Sequence, residues 1–414
     1  MTATDPRAAV EAVWRIESAR LIAGLARLVR DVGLAEDLAQ DALVAALEQW
    51  PRDGVPDAPG PWLMTVAKRR AIDTLRRRDT YAGKLVLLTR DAEPGHAEPD
   101  LDDHIGDDLL RLIFTAAHPV LGTEAQTALI LRMLCGLSTP EIARAFLIPE
   151  ATAAQRIVRA KRTLADAGVA FEMPTPAETG ERLTAVLRIV YLIFNEGYAA
   201  TGGEDWARPG LCREAMRLGR VLAGLLPREP EVHGLLALME LQASRLPARV
   251  DAEGQPVLLP DQDRSRWDRA LIRHGLAALA TAEDLGVGPY TLQAAIAACH
   301  ARAVRAESTD WPRIADLYEV LAHLQPTPVV LLNRAVAVGF AGHPARGLRL
   351  ADELVTVRAL RAYPQLPVVR AELLLRLGRA GEARAEFLRA AELTRNAGER
   401  ALFRRRADEI SCTT

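Results

Sequence analysis

The amino-acid sequence predicts an all-α protein with two small helical domains followed by a larger helical-repeat domain. Three observations favour this fold class. Only 5% of the 414 residues are aromatic, whereas Ala, Leu and Arg dominate, a composition that suits helices packed through small side chains. Apolar residues recur at helical spacing along most of the chain, and only "VLLP" at 257–260 could pair locally as a strand. A helix–turn–helix unit also recurs near the C-terminus.

The bulk composition indicates an ordinary soluble globular protein. Apolar residues make up 49% and charged residues 26%, and the formal net charge is −2. The length allows two or three domains with cores of their own. The four cysteines are Cys135, Cys212, Cys299 and Cys412. Because they are scattered and form no CxxC pair, we expect a reducing cytosol and neither a disulfide framework nor a metal site. The sequence also predicts no signal peptide and no membrane-spanning helix, so we expect a cytoplasmic protein.

The first domain is expected over 8–80, and its helices differ in charge. The stretch Ala35–Trp50 carries four acids and no Lys or Arg, with leucines at helical spacing. A loop rich in Pro, Gly and Asp, Pro51–Pro61, follows it. The next helix, Trp62–Arg78, has six cations and one acid in its last eleven residues.

A helical wheel divides this basic helix into an apolar side and a charged side. The apolar side carries Met64, Ala67, Ala71 and Leu75. The charged side carries Trp62, Arg69, Arg70, Asp73, Arg76 and Arg77. Cations that replace phosphate counterions, beside a ring that can stack on an unpaired base, are typical of a nucleic-acid interface. The alternative is a solvated face whose tryptophan packs against a neighbouring helix.

An acidic linker is expected over 81–106, because Asp91–Asp108 has eight acids and no Lys or Arg. The second domain, 107–170, contains a predicted helix-turn-helix whose first helix starts with a capping box of Ser138 and Glu141. Its second helix would enter the DNA major groove, where arginine can bind guanine and glutamine can bind adenine. The side that would face DNA carries Thr152, Gln155, Arg156, Arg159 and Arg162. The opposite side carries Ala153, Ile157, Ala160 and Leu164.

The third domain, 178–411, is expected to be a tetratricopeptide-like array with insertions. The pattern that starts at Pro328 recurs at Pro367, an offset of 39 residues. Such repeats typically present a concave surface to a protein or peptide. No catalytic constellation is evident, so we predict no enzyme and no cofactor. The "FNEGY" stretch, Phe194–Tyr198, is either a polar pocket, a contact to the second domain or simply a helix C-terminus.

Two DNA-facing helices separated by an acidic linker resemble the bacterial extracytoplasmic-function sigma factors of RNA polymerase. "AEDLAQDALVAALEQWP" and "PGPWLMTVAKRRAIDTLRRR" are similar to the polymerase-docking and −10-reading stretches of sigma region 2. Residues 107–168 resemble region 4, which reads the −35 element. The third domain resembles the extension of a subfamily in which a tetratricopeptide-like domain is fused behind region 4, and in which "RIVYLIFNEGYAATGG" follows the region 4 core.

The resemblance implies that core RNA polymerase and promoter DNA are the partners. The residues that would dock on the β′ clamp are Asp37, Gln40, Asp41 and Glu48. Region 4 would contact the β flap. The residues at the −10 element would be Trp62, Lys68, Arg69, Arg70, Asp73, Arg76 and Arg77. The loop Val55–Pro61 would border a pocket for an extruded base. The residues at the −35 element would be Thr152, Gln155, Arg156, Arg159 and Arg162.

The resemblance also implies roles for the linker and the extension. The linker would thread polymerase channels that normally hold nucleic acid, unless it is a plain tether. The extension would regulate the sigma core in cis and could hold a protein or peptide ligand. Two alternatives stay open from the sequence. One is a helix-turn-helix regulator with a repeat domain as sensor, and the other is an enzyme built in the third domain.

Overall fold

The computed structural model describes residues 6–86, 105–146, 148–198, 208–251, 257–394 and 397–412. In these ranges the regular structure is helical and no strand forms, which confirms the predicted fold class. The chain divides into two compact units, Met1–Ile189 and Val190–Thr414. Both predicted N-terminal domains lie in the first unit, and the finer domain boundaries stay predictions. None of the described helices has the length and apolar content that crossing a membrane requires.

The first unit is a bundle in which each helix buries an apolar stripe. Its helices are α1 (Pro6–Val29), α2 (Val32–Asp53), α3 (Pro59–Val86), α4 (Ile105–Ala116), α5 (Thr123–Leu129), α6 (Thr139–Phe146) and α7 (Glu150–Asp166), and α8 (Pro176–Tyr198) begins in it. Helix α1 packs against α2, α3 and α4 and so forms the centre of the bundle. Ile22 and Leu25 of α1 are fully buried, as are Leu63 of α3 and Ile113 of α4. Removing this apolar surface from water drives the packing.

Helix α3 extends to Val86 and α4 begins at Ile105, so these helices cover both ends of the predicted linker 81–106, whose extent stays a prediction. Asp107 and Asp108 lie in the first turn of α4, where acids interact favourably with the helix dipole. Asp108 is buried and pairs with two arginines, so it belongs to the core of the bundle and not to a linker. The rest of the predicted linker lies outside the described residues.

Helix α5 runs into a π-helical turn, Ile130–Leu134, that the sequence did not predict. Gly136 follows it with φ of 65°, a left-handed conformation that favours glycine. A Cβ atom at this position would lie 2.8 Å from the hydroxyl oxygen of Ser18. The glycine therefore serves both the turn and the close approach of this segment to α1.

The second unit continues as antiparallel helix pairs, which confirms the helical-repeat prediction. Its further helices are α9 (Pro209–Leu225), α10 (Pro230–Ala243), α11 (Arg269–Leu285), α12 (Pro289–Arg302), α13 (Trp311–Leu324), α14 (Pro328–Phe340), α15 (Pro344–Glu353), α16 (Gln365–Arg376), α17 (Ala380–Leu393) and α18 (Ala397–Cys412). Short 3₁₀ turns lie at Leu246–Ala248, Leu259–Asp261, Arg264–Arg266, Ala306–Ser308 and Arg358–Leu360. From α12 onward each helix packs against the next, as in a solenoid.

The repeat seen in the sequence corresponds to the pairs α14–α15 and α16–α17. The turns use glycines that the offset of 39 does not align, since Gly342 has φ of 99° and Gly378 has φ of 72°. Gly339, which aligns with Gly378, is instead buried inside α14. A Cβ atom on Gly339 would overlap Leu373 of α16, so this glycine lets the two pairs pack closely.

Candidate nucleic-acid and polymerase interfaces

Helix α3 presents the predicted basic residues to solvent. Its buried side consists of Leu63, Ala67 and Ala71. The exposed residues of its charged side are Arg69, Asp73, Arg76 and Arg77, and Lys68 and Arg70 are half-buried. A row of guanidinium groups on a rigid helix can pair with successive phosphates, because each group stays charged at neutral pH.

Trp62 opens α3 and packs against the end of α2. Its ring meets that of Trp50 edge to face, with centroids 5.4 Å apart and an interplanar angle of 65°. Trp50 is buried, whereas Trp62 is half-buried. The tryptophan therefore fixes the start of the basic helix on the bundle while part of its ring stays accessible. The sequence left packing and base stacking as alternatives for Trp62, and the structure shows the packing.

The predicted docking residues form one stripe on α2. Asp31 caps this helix by accepting a hydrogen bond from the Leu34 amide at 2.9 Å. Asp37, Asp41 and Glu48 are exposed, and Gln40 is half-buried. Val44, which sequence reasoning missed, lies on the same face and is 50% exposed. The helical period places positions 37, 41, 44 and 48 within one narrow angle. The stripe thus offers a partner both acidic and apolar contact.

Sequence reasoning also missed Glu36, which lies beside the stripe but is only 3% exposed. Arg132 donates to its carboxylate at 2.8 Å, and the Lys161 ammonium donates at 2.9 Å. Lys161 also reaches Asp37 at 2.6 Å. We call Glu36, Asp37, Arg132 and Lys161 the Glu36 cluster. No local signal marks it, because its members come from α2, the π-helical turn and α7.

The cluster governs the charge of Lys161. Burial alone would lower the pKa of its ammonium group, but Glu36 and Asp37 raise the pKa above its ordinary value. Lys161 therefore stays protonated inside the bundle. A buried cation keeps its charge here because two nearby carboxylates favour the protonated form.

The predicted helix-turn-helix forms from α6 and α7. The Ser138 amide and hydroxyl both donate to the Glu141 carboxylate at 2.8 Å, which confirms the capping box. Burial alone would raise the pKa of Glu141, but these hydrogen bonds and the cations Arg15 and Arg144 bring the pKa below its ordinary value. The turn ends at Pro149, after which α7 begins.

Helix α7 has the two faces that the sequence predicts. The buried residues are Ala153, Ile157, Ala160 and Leu164. The exposed residues are Thr152, Gln155, Arg159 and Arg162. Arg156 differs, since its side chain is 23% exposed and pairs with Glu124 of α5 at 2.5 Å. Four of the five predicted −35 residues are thus exposed to solvent, and the fifth is held by an acid.

The "FNEGY" stretch forms the C-terminal end of α8, as one of the sequence interpretations held. Tyr198 stacks on Phe194 with centroids 5.7 Å apart, and the Arg249 guanidinium lies 3.8 Å from the centre of the Tyr198 ring. Glu196 pairs with Arg208 at 2.5 Å. These contacts tie the end of α8 to its neighbours and account for the motif by packing.

A helix-turn-helix in the same compact unit as an arginine-rich helix is typical of DNA-binding proteins. Comparison with protein families agrees with this class. The family model of sigma-70 region 2 matches residues 16–81, and that of sigma-70 region 4 matches residues 111–164. A family of unknown function (DUF6596) matches residues 182–283.

Comparison with individual relatives shows which family the chain belongs to. An uncharacterised protein of Rhizobium meliloti is 46% identical over 392 residues, which are 94% of this chain and 92% of that protein. RNA polymerase sigma factor CarQ of Myxococcus xanthus is 33% identical over 32% of this chain and 74% of its own length. ECF RNA polymerase sigma factor SigC of Mycobacterium tuberculosis is 31% identical over 32% of this chain and 70% of its own length. The chain belongs to the extracytoplasmic-function (ECF) family of RNA polymerase sigma factors.

Proposed function

We propose that this sigma factor docks on core RNA polymerase through α2 and selects promoters by reading the −10 element with α3 and the −35 element with α7. One observation carries the proposal: a single compact unit exposes three surfaces of different chemistry. The α2 stripe is acidic and apolar, the α3 face is rich in arginine, and the α7 face mixes Gln, Thr and Arg. These surfaces suit a basic protein, a melted strand and a duplex groove, respectively.

The −10 element would lie along α3. Arg69, Arg76 and Arg77 would neutralise phosphates, and Lys68 and Arg70 would add charge from the flank of the helix. Asp73 would orient neighbouring arginines. Trp62 is half-buried, and in the loop that precedes α3 Val55 is 43% exposed. An extruded base could be stacked there, which would offset the few kcal/mol that flipping costs.

The −35 element would be read by the exposed face of α7 in the major groove. Gln155 and Arg159 have side chains that can bind base edges bidentately, and Thr152 can bind either a base or a phosphate. Arg156 must exchange Glu124 for DNA, and Arg162 lies one turn beyond Arg159. Region 4 would also rest on the polymerase β flap.

The polymerase contact would be formed by the α2 stripe. Asp37, Asp41 and Glu48 would pair with basic residues of the β′ clamp, with Gln40 as a polar contact at the edge. Val44 would supply buried apolar area at the centre of the stripe. Fully desolvated central contacts flanked by polar ones are the usual anatomy of a protein interface.

We further propose that the second unit regulates the sigma core in cis. Support comes from its tandem helix pairs, an architecture that typically binds proteins or peptides on a concave face. Whether this unit inhibits initiation or is required for it is decided by experiment. A peptide or protein ligand of the repeats would then carry the activating signal.

Run-off transcription with purified core polymerase on genomic fragments tests the proposal. The full chain is compared with residues 1–175, which end before α8 begins. Transcripts from the full chain alone would mean that the second unit is required, and transcripts from the short chain alone would mean that it inhibits. Circular dichroism shows whether the short chain is folded. Equal transcription by both would reject regulation in cis.

A helix-turn-helix regulator with a repeat sensor is the second candidate. The helix-turn-helix by itself suits it, but it gives no role to the α2 stripe or to the basic face of α3. Such a regulator binds duplex DNA without polymerase. Specific duplex binding by the chain alone, together with no transcripts from either chain above, would favour it.

A further inference from the structure

The second unit contains a cleft of about 730 Å³. Helices α14 and α16 form one part of its lining, and the 3₁₀ turns Leu259–Asp261 and Ala306–Ser308 form another. Sites for small molecules in proteins typically have volumes of about 300–1,000 Å³. The surfaces proposed for polymerase and promoter all lie in the first unit, so the cleft has no part in them.

Aromatic and aliphatic side chains give the cleft an apolar wall. The ring centroids of Trp311 and Phe340 are 4.6 Å apart, with an interplanar angle of 45°. Both rings line the cleft and are only half-buried. The aliphatic part of the wall, from α14 and α16, consists of Val336, Val368, Val369 and Leu373. Such a wall can bury the apolar body of a ligand, as in most small-molecule sites.

Arg376, the last residue of α16, presents a cation to this wall. Its guanidinium carbon lies 3.6 Å from the centroid of the Phe340 ring. A guanidinium stacked on a ring is held through its face, so the N–H groups at its edge remain for other acceptors. Arg376 is exposed, and no carboxylate of the described residues forms an ion pair with it. A ligand carboxylate can bind this edge with two parallel hydrogen bonds.

The acids on the same side of the cleft already have a cation. Arg406 donates to the Glu372 carboxylate at 2.6 Å, and both side chains are half-buried. The charge of Asp261 also acts on Arg406. Because these two acids share Arg406, the charge of Arg376 stays available to a ligand.

Arg264 places a further cation in the lining of the cleft. It is only 7% exposed, and its guanidinium donates to the carbonyl oxygens of His300 and Ala303 at 2.6 and 2.8 Å. Its Nε atom has no hydrogen-bond partner within the part of the chain that the structure describes. The acid whose charge acts on it, Glu307, is exposed, so water screens the attraction. Arg264 therefore favours an anion in the cleft and opposes a cation.

We propose that this cleft binds a small carboxylic acid with an apolar body. The body lies against Trp311, Phe340 and the aliphatic wall, and the carboxylate accepts hydrogen bonds from Arg376. The buried charge of Arg264 adds to the attraction. The site goes beyond the proposed function, because neither polymerase nor promoter DNA takes part in the binding.

A pair of matched probes tests the chemistry of the site. 1-Naphthylacetate and its neutral analogue 1-naphthylacetamide share an apolar body and differ in charge. Each probe is titrated against the full-length protein and followed by ligand-observed NMR, which gives both dissociation constants. The wild type should bind the carboxylate about five-fold more tightly than the amide, as expected for one ion pair near the surface.

Two variants test the location of the site. Arg376→Gln should remove the preference for the carboxylate and leave binding of the amide unchanged. Arg349→Gln is the matched control, since Arg349 is an exposed arginine of α15 outside the cleft, and it should bind both probes like the wild type. Ala306→Trp adds a large ring to the lining of the cleft and should weaken binding of both probes. Circular dichroism shows whether each variant is folded.

Several results would overturn the proposal. If the wild type binds neither probe at millimolar concentration, the cleft is not such a site. Equal affinities for the two probes, or an unchanged preference in Arg376→Gln, would reject the carboxylate contact, and this holds even if Ala306→Trp does not fold. A peptide ending in phenylalanine that binds more tightly than 1-naphthylacetate would assign the cleft to peptides instead. Each of these results leaves the proposed function standing, because run-off transcription tests that separately.

Discussion

At the scale of single residues, burial decides which charges of α2 matter for stability. Glu36 and Asp41 are both acids of one helix with basic partners. Glu36 is 3% exposed and is held by two cations, whereas the Asp41 side chain is 62% exposed and lies 3.7 Å from Arg70. Water screens the second pair but not the first. The carboxylate of Glu36 therefore stabilises the fold, whereas that of Asp41 stays available for binding a partner.

Replacing Glu36 by Gln should strongly destabilise the protein. The change leaves Arg132 without the Glu36 carboxylate and Lys161 with Asp37 alone, and breaking a buried ion pair in this way costs about 3–5 kcal/mol. Asp41→Asn, the matched control on the same helix, should cost less than about 1 kcal/mol. Urea unfolding of the full chain measures both free energies. Equal losses in the two variants would contradict this account of the cluster.

His300 should make the protein sensitive to acid. Burial, together with the nearby cations Arg245 and Arg264, lowers the pKa of His300 to about 3. The unfolded imidazole titrates near its ordinary pKa of about 6.5, so below that pH the unfolded chain binds a proton that the folded chain does not. Stability is therefore lost as the pH falls from about 6.5 toward 3, by about 2 kcal/mol at pH 5.

The variant His300→Gln should remove this contribution. Its free energy of unfolding should fall by about 2 kcal/mol less than that of the wild type between pH 7 and pH 5. His274→Gln is the control, because His274 is exposed on α11. Urea unfolding at the two pH values gives the comparison. An unchanged pH dependence in His300→Gln would show that another group is responsible.

At the scale of secondary-structure elements, residue spacing predicted the features that depend on a single helix. The two faces of α7 and the Ser138–Glu141 capping box follow from spacing within one helix, and both are present. The π-helical turn at Ile130–Leu134 was not predicted, and the sequence did not show which glycine of each repeat takes the left-handed turn conformation. The segment that holds the π-helical turn approaches α1 at Gly136, where a Cβ atom would lie 2.8 Å from the Ser18 hydroxyl, and no local pattern records such an approach.

Alanine at Arg156 or Arg159 should weaken recognition of the −35 element. Each change should cost about 1–3 kcal/mol if the side chain contacts a base, and the loss should depend on the −35 sequence. Arg188→Ala is the control, since Arg188 is an exposed arginine of α8 outside the helix-turn-helix. Transcription from promoters with altered −35 elements measures the effect. Unchanged promoter choice in both variants would show that α7 is not the reading helix.

At the scale of the whole molecule, charges of one sign are grouped on separate surfaces, each suited to one proposed partner, although the total is nearly zero. The formal net charge is −2, yet α3 exposes arginines and α2 exposes acids. The sequence predicted these surfaces because each lies on a single helix. It could not predict that Lys161 would reach Glu36 across 125 residues of chain, because that pairing depends on how the bundle packs. The Glu36 cluster is thus a property of the tertiary structure.

The docking stripe can be tested apart from the Glu36 cluster by avoiding Asp37, which belongs to both. Val44→Asp places a charge at the centre of the stripe, where the proposed interface would bury the valine. Losing that burial should weaken binding to core polymerase about ten-fold or more, since a buried valine contributes roughly 1.5–3 kcal/mol. Asp41→Arg should weaken it further by reversing a charge that faces polymerase cations.

The matched control is Val304→Asp, because Val304 is 80% exposed in the second unit and lies far along the chain from α2. It should leave the dissociation constant for core polymerase unchanged. Fluorescence anisotropy of labelled full-length protein titrated with core polymerase measures all three variants. If Val44→Asp and Asp41→Arg bind as tightly as the control, α2 is not the docking surface. If only these two lose affinity while their unfolding free energies match that of the wild type, the stripe acts by contact and not through the fold.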